Sequence, residues 1–288
     1  MTENISIAII GGSGLYGMSG LEDTKEYDLD TPFGKPSAPI VAGTLEGTRI
    51  AFLARHGIGH HIMPTEVPYR ANIYALKSLG VERVISISAC GSLREEYAPG
   101  HIVIPDDIFD FTKDRIRTFF GDGLVAHVGV ANPFCGELSD QVERAVRSTG
   151  ATTHRGGMFI TIEGPRFSTK AESNTFRAWG MSLVGMTASP EAFLAREAEM
   201  CYSTMAHVTD YDVWHESEAP VTVDMVIQTL NKNTQFAQDA IRNLVRNSKP
   251  ERTCSCGQAL ASALITNPKV IPAETRNKLD LLVGKYLK

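Results

Sequence analysis

The chain has 288 residues, 43% of them apolar, 21% charged and 8% aromatic, and its 28 basic against 33 acidic residues leave a net charge of −5. That composition excludes collagen-like, low-complexity and disordered chains, and the lack of a dense Lys/Arg run speaks against a nucleic-acid partner. A chain this long buries about three quarters of its unfolded surface, enough for one large core.

The first apolar run, Ile5–Ile10, is too short to span a bilayer and has no basic flank, and no later window is apolar over membrane length. The expectation is a cytoplasmic protein without a membrane partner. In chain order the pattern predicts strands over Ile5–Ile10, Ala38–Ala42 and Arg49–Ala54, then a helix over Glu66–Leu79. Strands over Arg83–Ala89 and Ile102–Ile104 precede a helix over Gly136–Ser148. Strand Met158–Glu163, helix Ser168–Trp179, strand Ser182–Met186, helix Pro190–Glu199, strand Tyr202–Thr209 and helix Val223–Val245 complete the series. Several strands are rich in Ile and Val and bounded by Gly, as buried strands are. Ser189 before Pro190 reads as an N-cap followed by proline at the first helical position, and Ser168 reads as another cap. The alternation predicts one α/β domain over residues 1–288, with helices on both faces of the sheet and a helical appendage over 249–288.

Gly12, Gly14 and Gly17 match the spacing of a dinucleotide fingerprint. That motif needs a helix at the second glycine and then a strand ending in an acid; Met18–Asp30 has no helical period, and Pro32 and Gly34 break the chain. A nucleotide-dependent oxidoreductase is therefore disfavoured, although a loop of exposed N–H groups with a serine hydroxyl can still hold a phosphate oxygen. Arg55 and His56 end an apolar strand, where open α/β sheets place ligands, and the planar guanidinium suits an anion. A metal held by His56, His60 and His61 would need a helix that Gly57 and Gly59 disfavour. Ser86–Ser92 closes another strand with small residues, which fits a close ligand approach or simply a tight turn. Asp210 and Asp212, two apart in extended chain, would point to one side; they could serve one ligand, with a buried carboxyl donating a proton, or cap the next helix.

Five cysteines are present: Cys90, Cys135, Cys201, Cys254 and Cys256. An odd, sparse set argues against a disulfide framework. Cys254-Ser255-Cys256 is either a tight disulfide or two reduced, dispensable thiols.

The ordered stretches Ile10-Gly-Gly-Ser-Gly-Leu15, Thr31-Pro-Phe-Gly-Lys-Pro-Ser37, Ala54-Arg-His-Gly57, Ala89-Cys-Gly-Ser-Leu-Arg94, Thr161-Ile-Glu-Gly-Pro-Arg-Phe-Ser168, Met186-Thr187 and Thr209-Asp-Tyr-Asp212 carry a resemblance. Over roughly residues 5–245 the sequence resembles the 5′-methylthioadenosine phosphorylases, within the trimeric purine nucleoside phosphorylase superfamily. The resemblance implies a single α/β domain around a distorted mixed sheet, and reversible phosphorolysis of methylthioadenosine to adenine and 5-methylthioribose 1-phosphate. Inorganic phosphate is then a co-substrate, with no cofactor and no metal, in a homotrimer or a hexamer of two trimers. It implies phosphate contacts from Ser13, Arg55, His56, Ser88, Ala89 and Thr187. Met186 and Phe167 are expected against ribose and base, and Thr209, Asp210 and Asp212 at the purine. Val223 and Val226 are expected at the methylthio group, with His127 entering from a neighbouring subunit. The competing expectations are a broader purine nucleoside phosphorylase acting on adenosine, inosine or methylthioinosine, and a silent nucleoside-binding protein.

Overall fold

In the first strand, β1 (Ile7–Gly11), every residue is buried. Ile7 and Ile9 face one side of the sheet, and Ala8 and Ile10 the other. Only a central strand covered on both faces permits such a run. The computed structural model describes residues 5–12, 15, 17–215, 222–248 and 251–287.

β1 lies parallel to β4 (Thr48–Ala54) on one side and to β5 (Arg83–Ser92) on the other. β5 in turn pairs in parallel with β11 (Cys201–Asp210) along nearly its whole length. At its far end β5 diverges, and Gly91 and Ser92 pair antiparallel with β10 (Leu183–Gly185). The sheet continues through β9 (Met158–Ile162) to β7 (Asp107–Phe111), while β6 (Ile102–Ile104) links β11 to β8 (Thr153–Arg155). β3 (Ile40–Leu45) and β2 (Glu22–Tyr27) extend the β4 side antiparallel. The result is the mixed, distorted sheet expected from the resemblance.

Helices cover both faces. The side chains of α1 (Tyr69–Ser78), α4 (Ala188–Glu197) and α6 (Ala273–Val283) belong to the core cluster that includes Ala8 and Ile10. Those of α2 (Gly136–Arg147) and α5 (Val223–Asn247) pack against Ile7, Ile9, Ile85 and Ile87. Beyond Gly12 the chain turns, with Leu15 N–H bonded to Gly12 O at 3.3 Å, and runs to β2. No helix follows β1 among the described residues, so the dinucleotide fingerprint has no structural counterpart.

Three strands escaped the sequence pattern. β2 is nearly all polar and exposed, β7 alternates between exposed and half-buried positions, and β8 is three residues long. Backbone pairing holds these strands, with too little buried apolar surface to mark them. Ser189 is extended (φ −102°, ψ 135°) before Pro190, as an N-cap requires, although a turn from Ala188 precedes it. The cap of α3 (Lys170–Ala178) is Thr169 rather than Ser168. Thr169 Oγ1 accepts from Glu172 N–H, and Glu172 accepts from Thr169 N–H, a reciprocal pair that satisfies two free amides.

The tail contributes Leu260, Ala263, Ile271, Leu279, Leu282 and Val283 to the α1/α4 core. Replacing Leu279, 1% exposed, with Ala should therefore lower unfolding free energy by about 2–5 kcal/mol in urea denaturation. A change near zero would mean that the tail is not part of the cooperative core.

Candidate active site

Because β4, β1, β5 and β11 run parallel, their C-terminal ends share one edge. Gly11–Gly12, Arg55–His56, Ser88–Ser92 and Thr209–Asp210 meet there, where open α/β sheets bind ligands. β5 marks the opening. It is paired on both sides, yet Ser88, Ala89 and Gly91 are partly open while the rest of the strand is buried. Ser13 lies outside the described residues.

Arg55 is buried, and its guanidinium forms a two-pronged pair with Glu191 of α4, Nε to Oε2 and Nη2 to Oε1 both at 2.8 Å. Nη2 also donates to Ser86 Oγ at 2.6 Å and Nη1 to Ile87 O at 3.2 Å, while Tyr202 OH donates to Glu191 at 2.8 Å. The fork read from sequence as an anion cradle is thus turned mainly onto a carboxylate. One Nη1 hydrogen has no acceptor among the described residues. Burial opposes the charge on Arg55, and the Glu191 carboxylate outweighs it.

His56 bonds Ile62 O through Nδ1 at 2.8 Å and stacks on His60 at 4.3 Å. Burial, then the adjacent Arg55 charge, push its pKa down to about 4. The ring is neutral at pH 7, and a donating Nδ1–H leaves Nε2 as an acceptor suited to the hydroxyl of monohydrogen phosphate. No metal-binding cluster involving His56, His60 and His61 is present among the described residues.

The aspartates come together by another route than the extended chain the spacing suggested. A bulge between Val208 and Asp210 shifts the β5 pairing, and Asp212 adopts φ +52°, a left-handed conformation that Asp tolerates. Asp210 accepts from Thr209 Oγ1 at 2.6 Å and from Asp212 N–H at 2.8 Å. Burial nonetheless raises its pKa to about 6. Burial also raises Asp212, and the nearby Ser173 and Ser168 hydroxyls, outside hydrogen-bonding geometry, pull the other way. Asp212 Oδ2 is buried without a hydrogen-bond partner among the described residues. Gly91 makes room for both carboxyls: a Cβ there would lie 2.9 Å from Asp210 Oδ1 and 3.2 Å from Asp212 Cβ.

Thr187 is buried at the start of α4, but its side chain does not cap that helix. Met186 packs its sulfur on Gly164, whose φ is +69°, and so meets the loop carrying the exposed Phe167. Arg115, unanticipated from sequence, fixes this corner. It donates to Met186 O at 2.6 Å, Ser189 O at 2.7 Å and Glu163 O at 2.7 Å. The Glu163 carboxylate accepts from Thr65 Oγ1 at 2.6 Å, from the Lys113 and Asp114 N–H groups and from Arg115 Nε at 3.2 Å, and burial notwithstanding, these donors draw its pKa down to about 2. Three further expected residues are exposed or half-buried in the single chain. His127 is exposed, on a segment whose N–H bonds Ala263 O at 2.9 Å, Val223 is 61% exposed and Val226 is half-buried on the first turns of α5. Glu191 and Arg115 were missed by sequence reasoning, which saw Ser86 and Gly91 only as members of the small-residue run Ser86–Ser92; a lone acid within the stretch 188–195 was the one signal for Glu191.

A small-residue strand edge beside a buried carboxyl pair on a mixed sheet is a site of the nucleoside phosphorylase type. The phosphorylase superfamily model matches residues 6–246, and the chain belongs to that superfamily. More narrowly, it is 54% identical to the S-methyl-5′-thioadenosine phosphorylase of Koribacter versatilis, over 97% of this chain and 96% of the relative. It is likewise 54% identical to that of Geobacter sulfurreducens, over 98% and 99%. A crystal structure of methylthioadenosine phosphorylase from an antarctic soil metagenomic library superposes with a TM-score of 0.92 at 47% identity, covering 97% of this chain and 99% of that one.

Two outcomes follow from this geometry. Gly91→Ala should fold but lose about a hundredfold in activity, because the aspartates must shift; unchanged turnover would show that their placement is not critical. Asp210 has a folded pKa of about 6 against an ordinary 3.8, so its charge destabilises the fold increasingly as pH rises from about 4 to about 6. Asp210→Asn should thus raise the melting temperature more at pH 8 than at pH 5, and an equal shift at both would contradict the raised pKa.

Proposed function

We propose that this protein is a 5′-methylthioadenosine phosphorylase, converting methylthioadenosine and inorganic phosphate to adenine and 5-methylthioribose 1-phosphate. One observation carries the reading: a buried carboxyl raised to about 6 beside a second with an unpartnered acceptor oxygen, at the edge that carries Arg55, His56 and Ser88. The relatives at 54% identity supply the choice of nucleoside.

Phosphate, a dianion at neutral pH, needs no base to act as nucleophile. In this reading Ser13, Ser88, Thr187, the backbone at Ala89 and the remaining Arg55 N–H hold it, and His56 Nε2 accepts its hydroxyl. A phosphate oxygen attacks C1′ as the C1′–N9 bond breaks, and the bonding pair passes to the purine. The phosphate charge stabilises the cationic sugar, and protonated Asp210 donates to N7 as negative charge grows there. Asp212 Oδ2 accepts from the 6-amino group; a 6-oxo purine offers an acceptor there, leaving a buried mismatch. Phe167 and Met186 flank base and ribose, and Thr209 orients Asp210. Catalysis uses no cofactor or metal.

The same proposal places the enzyme in the cytoplasm, in purine and methionine salvage, as a homotrimer or a hexamer of two trimers. No helix among the described residues is long and apolar enough to cross a membrane. The exposed Ile58, Met63 and Ile116 support a subunit contact beside the His56 loop. With such a contact, His127 of a neighbour joins Val223 and Val226 around the methylthio group.

The test is incubation with methylthioadenosine, with and without phosphate, measuring adenine and the sugar phosphate. Adenine should appear only with phosphate; release without it would indicate a hydrolase, and binding without release a silent binder. Asp210→Asn should cut methylthioadenosine turnover by about 10²–10⁴-fold. Unchanged turnover would remove Asp210 from the proposed role.

A further inference from the structure

Four of the five cysteines, far apart in sequence, converge away from the candidate active site. The sulfurs of Cys135, Cys201, Cys254 and Cys256 all lie within 4.8 Å of one another. Cys135 precedes α2, Cys201 opens β11, Cys254 precedes the 3-10 turn Ser255–Gln258 of the tail and Cys256 lies within it. Cys201 and Asp210 are at opposite ends of β11, about 30 Å apart at strand rise. All the cysteines are free thiols, and Cys201 and Cys254 approach to 3.3 Å, well outside bonding distance.

We propose that Cys135, Cys201, Cys254 and Cys256 bind one zinc ion that ties the C-terminal tail to the body of the fold. Zinc–sulfur bonds of about 2.3 Å in a tetrahedron separate the sulfurs by about 3.8 Å, which the observed spacing accommodates with small adjustments. The same spacing is too tight for a multi-iron cluster. Four protein ligands leave no open position, as a structural rather than a catalytic site requires.

The surroundings match the charge of such a centre. Four thiolates around a divalent ion carry a net charge of about −2. Arg196 Nη1 donates to Cys256 Sγ at 3.2 Å, and the Arg252 guanidinium lies beside Cys201 and Cys254. Arg252 is itself fixed, donating to Glu199 O at 3.0 Å and Glu82 Oε1 at 3.1 Å. Leu138 N–H, in the first turn of α2, points at Cys135 Sγ at 3.5 Å, so a helix N-terminus adds to the stabilisation of that thiolate. A side chain at Gly257 would crowd Arg252, whose Nη2 is 3.0 Å from the Cβ position.

The site has a clear structural use. From Cys254 and Cys256 the chain runs on to Leu260, Ala263, Ile271 and Leu279, which complete the α1/α4 core. It also braces the His127 segment, where Ile265 N–H bonds Val125 O at 3.2 Å. Metal binding therefore anchors the start of the segment on which both depend.

The experiment is metal analysis of the untagged full-length protein, purified anaerobically with reductant, together with thiol titration after denaturation in chelator. About one zinc per chain and about five thiols are expected. Metal-free protein with one thiol, meaning two disulfides, would overturn the proposal, as would five thiols with no zinc retained after dialysis against zinc, or iron in its place. The double variant Cys254→Ser/Cys256→Ser should lose the zinc and melt at a lower temperature. Should that variant fail to fold, cobalt(II) titration of the wild-type chain decides: the intense visible bands of a tetrahedral cobalt thiolate, abolished by added zinc, are expected, and their absence refutes the site.

Discussion

The buried ion pair between Arg55 and Glu191 is the constraint on which the site depends. Arg55 ends β4, yet its guanidinium reaches Ser86 and Ile87 O of β5 and Glu191 of α4, and Glu191 is bonded to Tyr202 of β11. Three parallel strands and the helix after Thr187 are thereby held in one register. Glu191 has no exposed surface, and removing one partner of such a pair typically costs about 3–5 kcal/mol because a buried charge is left uncompensated. Its value lies in placement: the pair fixes the strand ends and prevents Arg55 from collapsing across the cleft.

Against that frame the two halves of the site have opposite electrostatics. The edge near His56 sets the buried Arg55–Glu191 pair beside an imidazole that burial, then the adjacent Arg55 charge, keep neutral at pH 7. The end of β11 holds two carboxyls in a poorly solvated corner, where burial raises Asp210 to about 6 and Asp212 above its ordinary value. An anion and a proton donor on opposite sides of a glycosidic bond are what its heterolysis requires. Gly91 permits the second half, and Arg115 secures the Met186 corner between them.

Much of this was legible in the sequence for identifiable reasons. The buried strand β1 is a continuous apolar run, β5 and β11 interleave apolar with small polar residues, and the amphipathic helices show their periodicity, so the layered α/β plan could be read directly. Arg55, His56, Asp210 and Asp212 stood out as polar residues at the ends of such runs. The exposed edge strand β2 did not, because backbone pairing leaves no apolar signature. The aspartate pair is not the extended-chain pair that its spacing suggests: a bulge and the left-handed Asp212, neither visible in spacing, set the Asp210 carboxyl and Asp212 Cβ beside Gly91.

The amino-acid sequence alone determined which segments are buried, where strands end, and which polar residues sit at those ends, since these follow from local apolar patterning and chain stiffness. Only the tertiary structure decided which groups meet. Glu191 is 136 positions from Arg55, and Cys256 lies on a turn of the tail far from Cys135 in the chain. A pairwise interaction between distant residues depends on strand order and helix placement, which are properties of the whole packed sheet and leave no mark on the neighbours of either residue. The raised Asp210 carboxyl belongs to the same category, because burial is conferred by everything packed around a group and by nothing in its own covalent surroundings.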